Sequence, residues 1–291
     1  MSDQPRLVAD SRCELGEGPL WDARRGRLFW FDIQRSALHS LTPGREGDFT
    51  TLALPFRASA ACLTDDGRLF TATEQGLFLI DPDNGAMEAV EPMDLGPGFR
   101  SNDGKIDQAG AFWWSAMDDD HGRRPGTVFR TRRGETSQAV FQGVHITNAL
   151  AFAPDGRHGY VADSLKGEIE TFGLAADGAP GPRRRFAKLD KGDPDGSATD
   201  ADGFIWNAQW GAWRVVRYAP DGRIDRVVEM PVQQPSCCCF GGEDLKTLYI
   251  TTAQENLPAE ARAAQPQAGG VWAMRVETTG LALPLFGGAK P

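Results

Sequence analysis

The chain has 291 residues, of which 41% are hydrophobic and 24% charged, a balance typical of a soluble globular protein. Its net charge of −9 and its short, separated arginine clusters argue against a nucleic-acid partner. The first ten residues lack the basic start and apolar core of a leader, and no run is apolar enough to cross a membrane. We therefore expect a cytoplasmic protein with no membrane partner.

The five cysteines do not form a disulfide framework or a thiolate metal pattern. Their number is odd, and three are consecutive at Cys237, Cys238 and Cys239. A thiolate metal site needs separated cysteine pairs, and the sequence has none. We expect these cysteines to be reduced and to pack as small apolar side chains on a strand.

A repeated pattern organises the whole chain. A turn followed by a β-rich run occurs six times, anchored at Gly26, Gly67, Gly110, Gly156, Gly203 and, in a degenerate copy without glycine, Lys246. The spacings of 41, 43, 46, 47 and 43 residues fit four short strands per unit. The sequence therefore predicts an all-β fold, a six-bladed β-propeller with four-stranded blades, as a single domain over residues 1–291.

Two local features complete the fold prediction. The β-rich segment at 6–12 precedes the first full repeat, so it can pair with the run at 269–276 in the last unit and close the ring. The segment 257–265 is the one plausible short helix, in a long connection of the last unit.

The repeat also predicts a site, because equivalent residues of successive blades lie at the same height and radius about the central axis. The positions eight residues before an anchor, or nine in the first unit, include two carboxylates and two amides: Glu17, Asn102, Asn148 and Asp195. The second and sixth units have Ser59 and Cys238 there, which are small. We expect the four larger side chains to meet at the mouth of the central channel.

Carboxylates crowded into a partly buried space repel one another and lose hydration, so the cluster needs compensation. One divalent metal ion supplies it most simply. Oxygen donors favour Ca²⁺, Mg²⁺ or Mn²⁺, with Zn²⁺ or Fe²⁺ also possible. Few protein ligands leave coordination positions open to water and substrate, which is typical of a catalytic metal site.

Five fragments together resemble one known family. CELGEGPLWD, RSNDGKIDQAG, ITNALAFAPDGRHGYVADS, DPDGSATDADGFIW and FGGEDLKTLYITTA occur in order and are similar to the regucalcin/gluconolactonase family of sugar lactonases, over about residues 10 to 275. The resemblance implies a six-bladed propeller with one divalent metal on its axis. It also implies a carboxylic ester hydrolase that opens the lactone of an aldonic acid, of the gluconolactone, xylonolactone or arabinonolactone type.

The resemblance implies roles for six residues. The metal ligands are Glu17, Asn148 and Asp195, the catalytic residue is Asp195, and the substrate contacts are Arg100, Asn102 and Asp120. The acidic run 118–120 leaves open which of its three aspartates contacts substrate. Trp210 is expected to form an apolar wall under the sugar ring.

Other interpretations stay open at this point. One is a related metal-dependent esterase or phosphotriesterase, and another is a calcium-binding propeller without turnover. The sequence leaves open the preferred lactone, the native metal and the oligomeric state, for which we expect a monomer or weak oligomer. It also leaves open whether Asp195 activates the attacking water or whether the metal ionises that water directly.

Overall fold

The structure, a computed structural model, describes residues 4–44 and 49–288 and contains six four-stranded antiparallel sheets arranged as the blades of a propeller. The prediction of six four-stranded blades is confirmed. In the part of the chain that is described, no helix is long and apolar enough to span a membrane.

Each of the first five blades is built from four consecutive strands, from the channel outward. Blade 1 contains β2 (Gly16–Asp22), β3 (Arg27–Asp32), β4 (Ala37–Leu41) and β5 (Thr50–Ala53). Blade 2 contains β6 (Ala58–Leu63), β7 (Leu69–Thr73), β8 (Gly76–Ile80) and β9 (Met87–Pro92). Blade 3 contains β10 (Phe99–Ile106), β11 (Phe112–Asp118), β12 (Gly126–Thr131) and β13 (Gln138–Val144). Blade 4 contains β14 (Thr147–Phe152), β15 (His158–Asp163), β16 (Glu168–Gly173) and β17 (Arg184–Lys188). Blade 5 contains β18 (Asp193–Thr199), β19 (Ile205–Trp210), β20 (Arg214–Tyr218) and β21 (Ile224–Glu229).

Blade 6 combines the two ends of the described chain. It contains β22 (Pro235–Gly241), β23 (Thr247–Thr252), β24 (Val271–Arg275) and, as its outermost strand, β1 (Arg6–Ala9). Strand β1 pairs with β24, so the predicted closure of the ring by the N-terminal segment is confirmed. The predicted short helix is also present, as α1 (Ala259–Ala264) between β23 and β24.

Apolar side chains between neighbouring blades form the core. Between blades 3 and 4, Trp113 lies against Phe152 and Phe172, with ring centroids 5.2 and 5.5 Å apart, and all three side chains are buried. The indole N–H of Trp113 donates to Asp107 at 2.9 Å, which satisfies its one polar atom. Burying one such aromatic side chain contributes about 2 kcal/mol, so packing of this kind fixes each blade relative to the next.

The turns between the first two strands of the blades confirm five of the six anchors. The five anchor glycines have φ between 60° and 90°, a left-handed conformation that glycine adopts without a Cβ clash: Gly26, Gly67, Gly110, Gly156 and Gly203. In blade 6 the residue that closes the equivalent turn is Leu245, with φ 54°, and not Lys246. Its N–H donates to the carbonyl three residues earlier, as do the N–H groups of Gly67, Gly110, Gly156 and Gly203. The anchor predicted for the sixth unit was therefore wrong by one residue.

A β-bulge interrupts the innermost strand of every blade. Where the innermost strand pairs with the second strand, the register shifts by one residue between Glu17 and Leu20, Ala58 and Ala60, Ser101 and Gly104, Asn148 and Ala151, Pro194 and Ser197, and Pro235 and Cys237. A bulge redirects side chains that a regular strand would alternate between its two faces. All six bulges lie near the strand ends at one mouth of the central channel.

Candidate metal and substrate site

The bulges surround a cavity of about 410 Å³ at one mouth of the channel. Five of the six residues predicted for the site line it, namely Glu17, Arg100, Asn102, Asn148 and Asp195. Trp210, predicted as an apolar wall, lines the same cavity. The cavity has the size that encloses a small ligand such as a single sugar ring.

Glu17 and Asp195 are the two buried acids of this cavity. Their side chains are 8% and 5% exposed, and each accepts one hydrogen bond of 3.0 Å from the next residue's backbone N–H. Burial and the charge of Asp103 raise the pKa of Glu17 to about 8. Burial and the charges of Glu17 and Asp103 raise the pKa of Asp195 well above its ordinary range.

The two amides are held in fixed orientations. Asn148 donates its Nδ2 to Ser164 Oγ at 2.9 Å, and Ser164 in turn donates to the Pro194 carbonyl at 2.7 Å. Asn102 donates its Nδ2 to the Thr147 carbonyl at 2.9 Å and to Asn148 Oδ1 at 3.3 Å. The carbonyl oxygen of Asn148 therefore points away from Ser164 and towards Asn102.

These residues fit a divalent cation. Glu17 and Asp195 form no ion pair within the described residues, so two buried carboxylates lack a compensating cation in contact with them. Asn148 Oδ1 adds a third oxygen donor. Three oxygen ligands in a cavity open to water are the donor set that Ca²⁺, Mg²⁺ or Mn²⁺ prefers when coordination positions remain for substrate.

The two remaining bulges have serines, and this corrects the prediction for blade 6. Ser59 lies in the bulge of blade 2, as predicted, but the blade 6 bulge contains Ser236, while Cys238 pairs with Ile250 in the regular ladder. Two one-residue differences explain the error. The turn of blade 6 is centred on Leu245, one residue before the predicted anchor Lys246. Its bulge residue, Ser236, also lies one residue farther from the turn than Ser59 does in blade 2.

Arg100 is held at the edge of the cavity by Asp119. Its Nε donates to Asp119 Oδ1 at 2.7 Å, and its Nη1 donates to Asn102 Oδ1 at 2.6 Å. Arg57 of blade 2 donates to the other oxygen of Asp119 at 2.7 Å and also pairs with Glu74. Although burial raises the pKa of Asp119, the hydrogen bonds from Arg57 and Arg100 lower it overall.

The acidic run at 118–120 divides into three different environments. Asp118 is buried and pairs with Arg124 at 2.7 Å. Asp120, the residue predicted to contact substrate, is 60% exposed and pairs with Arg123 at 3.2 Å, and it does not line the cavity. Asp119, in the turn directly after β11, is the acid of this run that pairs with Arg100 and lines the cavity.

Sequence reasoning left one residue of this neighbourhood undecided and missed two others. Asp119 was one of three acids that spacing could not separate. Asp103 follows Asn102 directly, and the pattern N-D-G gave the signal for it, but it was not among the predicted site residues. Ser164 has no sequence signal, because it follows β15 and reaches Asn148 only through the pairing of β14 with β15 in blade 4.

A second group of potential ligands is explained without a metal. Atoms of Cys13, Asp32 and His39 lie within 4.8 Å of one another, and all three residues are buried. Asp32 already accepts the backbone N–H groups of residues 14 and 15 at 2.9 and 3.2 Å and pairs with Arg35. Asp163 accepts the backbone N–H groups of residues 145 and 146 in blade 4 in the same way. The hydrogen bonds of Asp32 therefore have a structural role that recurs in another blade.

The five cysteines are free and buried, as expected. Cys238 and Cys239 line a second, apolar cavity of about 80 Å³ at the opposite mouth of the channel, where Lys105 supplies the cationic side chain. That mouth is covered in part by residues 281–284. Burial raises the pKa of Cys238 well above its ordinary value and that of Cys239 to about 12, so these thiols stay protonated near neutral pH.

Comparisons with known proteins agree with the six-bladed fold and identify the family of the chain. The chain is 36% identical over 99% of its length to a 6-deoxy-6-sulfogluconolactonase of Pseudomonas putida, all of which is covered. It is 36% identical over 98% of its length to an L-arabinolactonase of Azospirillum brasilense, of which 96% is covered. The crystal structure of a calcium-binding regucalcin from Agrobacterium tumefaciens superposes with a TM-score of 0.92 at 34% identity, covering 98% of both chains. Residues 15–254 match the family described as SMP-30/Gluconolactonase/LRE-like region, and the chain belongs to that family.

Proposed function

We propose that this protein is a metal-dependent sugar lactonase that hydrolyses a neutral aldonolactone to the aldonic acid. The observation that carries the proposal is the convergence of Glu17, Asn148 and Asp195 on one solvent-accessible cavity beside Arg100 and Asn102. Relatives that match nearly the whole chain are lactonases, which are carboxylic ester hydrolases. The reaction class therefore rests on relatives and site together.

Glu17, Asn148 and Asp195 would hold the metal ion through their side-chain oxygens. Bound there, a divalent cation supplies Lewis acidity, which polarises the lactone carbonyl and lowers the cost of charge that develops on its oxygen. Ser164 fixes the amide of Asn148, and the backbone N–H of residue 18 fixes Glu17. These contacts preorganise the ligands, so little reorganisation is needed when substrate arrives.

Asp195, which lines the cavity, would accept the proton of the attacking water. The water oxygen forms a bond to the acyl carbon and its proton passes to the carboxylate. The bond between the acyl carbon and the ring oxygen then breaks, and the ring oxygen takes the proton and becomes the hydroxyl of the aldonic acid. Burial favours the protonated form of Asp195, whereas a neighbouring cation favours the ionised form. The balance between the two effects sets its strength as a base.

Arg100 and Asn102 would bind the hydroxyl groups of the sugar. Arg100 is 5% exposed and Asn102 is 9% exposed, and both face the cavity from the innermost strand of blade 3. The apolar side chains of Met117, Ile146 and Trp210 line the cavity next to them. This mixture of fixed donors and apolar surface is suited to the edge and face of a polyhydroxylated ring.

The charge of the cavity favours a neutral substrate. Arg100 is the one arginine that lines it within the described residues, and its guanidinium is already paired with Asp119. Arg57 behind it is paired with both Asp119 and Glu74. Within the described residues, the cavity therefore has no unpaired arginine side chain that could bind a sulfonate. A sulfonate is the group that the name of the Pseudomonas relative indicates for its substrate.

The test is a panel of lactones assayed by acid release with metal-stripped and reconstituted protein. Neutral five- and six-carbon aldonolactones should be hydrolysed only after a divalent metal is restored, and faster than a 6-sulfonated lactone. Aryl esters and phosphotriesters in the same panel test the esterase alternative, which faster turnover of those substrates would establish. Metal uptake without acceleration of any substrate would instead identify a binding protein.

A further inference from the structure

We propose that Asp103 is a positioning residue that holds the metal ligand Asn148 by fixing the bulge of blade 4. This inference rests on the proposed metal site. It adds a buried carboxylate that does not itself need to touch the metal. Asp103 is 6% exposed and does not line the cavity.

The bulge that follows Asn148 is strained. Its first residue, Ala149, has φ 57°, a left-handed conformation that costs a non-glycine residue about 1 kcal/mol or more. Blade 1 has the same arrangement after its own ligand, where Gly18 follows Glu17 with φ 54°. The left-handed position is thus a glycine in blade 1 and an alanine in blade 4. The alanine costs conformational energy there, so other contacts must stabilise the bulge of blade 4.

Asp103 supplies that stability from the neighbouring blade. Its Oδ2 accepts the backbone N–H of Leu150 at 2.8 Å, and its Oδ1 accepts that of Gly104 at 2.8 Å. Asn102 binds the other side of the same bulge, through the carbonyl of Thr147. Consecutive residues of blade 3 thus hold the backbone before and after Asn148.

The two hydrogen bonds also explain why this position has a carboxylate although two other acids are near. An asparagine has the same shape but only one acceptor oxygen, so its NH₂ group would face one of the two backbone N–H donors. A carboxylate accepts from both. Burial raises the pKa of Asp103 above its ordinary value, and the charge of Lys105, on the same strand, opposes that shift. The negative charge of Asp103 adds to burial in raising the pKa of Glu17 and Asp195.

The test is a double-mutant cycle on metal affinity, using Mn²⁺ and isothermal titration calorimetry. Asp103→Asn should weaken Mn²⁺ binding by about 10- to 100-fold, the usual effect of removing a partner that orients a ligand. Adding Ala149→Gly removes the left-handed strain, so the double variant D103N/A149G should recover at least half of that loss on a logarithmic scale. Asp107→Asn is the matched control, because Asp107 is equally buried in blade 3 but contacts Trp113 and the turn.

The outcomes separate this inference from the proposed function. Wild-type protein that binds no Mn²⁺ overturns the metal site itself. Unchanged affinity in D103N, or loss without recovery in D103N/A149G, overturns positioning by Asp103 and, in the second case, indicates an effect of charge alone. If D103N does not fold, the wild-type NMR spectrum decides: the Leu150 amide proton should be shifted far downfield by its bond to a carboxylate, and an ordinary shift contradicts the proposal.

Discussion

Blades 1, 3, 4 and 5 differ from blades 2 and 6 in the side chains at their bulges, although all six share the same backbone irregularity. The first group has Glu17, Asn102, Asn148 and Asp195 there. The second group has Ser59, which donates to the Asn102 carbonyl at 2.5 Å, and Ser236, which donates to the Gly16 carbonyl at 2.5 Å. The fold supplies six similar places at the channel mouth. The proposed ligands Glu17, Asn148 and Asp195 occupy three of them, and the residues at the other three, Asn102, Ser59 and Ser236, donate to a backbone carbonyl of a neighbouring blade.

The sharpest way to break this comparison is to remove a side chain from each group. Glu17→Ala or Asp195→Ala should reduce lactonase activity by about 10³-fold or more, because metal binding and proton transfer are both affected. The β-rich circular dichroism spectrum should persist. Ser59→Ala and Ser236→Ala are the controls, and we expect activity within about tenfold of wild type, since each loses hydrogen bonds worth about 1 kcal/mol. Equal losses in both groups would contradict the division.

The second buried group, Cys13, Asp32 and His39, extends the comparison to a cluster whose carboxylate already accepts two backbone hydrogen bonds. Burial lowers the pKa of His39 to about 4, so the folded chain binds fewer protons than the unfolded chain between pH 6.5 and 4. Stability should therefore fall as pH falls through that window, by roughly 3 kcal/mol from this group alone. Urea unfolding of wild type and His39→Gln at several pH values measures it. An unchanged pH dependence in the variant would show that His39 does not contribute.

Asp119 and Asp120 provide the next comparison, because they are adjacent but differ in environment. Asp119→Asn should lower kcat/KM by about tenfold, which corresponds to about 1.4 kcal/mol, through a higher KM as Arg100 loses its fixed position. Asp120→Asn removes only an exposed ion pair, so steady-state kinetics should be unchanged. A larger effect at Asp120 would restore it as the substrate contact.

The smallest expected effect concerns the turn of blade 6. Leu245 has the left-handed conformation that glycine has in the other five blades. Leu245→Gly should therefore stabilise the protein by up to about 1 kcal/mol in urea unfolding. Lys246→Gly, at the position that sequence spacing indicated, should destabilise it or have no effect. The reverse order would mean that spacing located the turn correctly.

The sequence predicted the blades well because each turn and strand pattern is local and occurs several times. The same arithmetic selected Glu17, Asn148 and Asp195, which line one cavity in the structure, because their distances from the anchors are nearly constant. It was wrong for Cys238, since a two-residue displacement leaves the strand pattern plausible. It could not choose Asp119 over Asp120, because that choice depends on contacts with Arg57 and Arg100 from two different blades.

The most direct measurement of the central claim is the anomalous-difference map of a crystal soaked in Mn²⁺. We predict one strong peak at the channel mouth, at about 2.0 to 2.6 Å from side-chain oxygens of Glu17, Asn148 and Asp195, the range that hard divalent ions show with oxygen ligands. A peak beside Cys13 and His39 in place of this one, or no peak within contact of all three residues, would contradict the account.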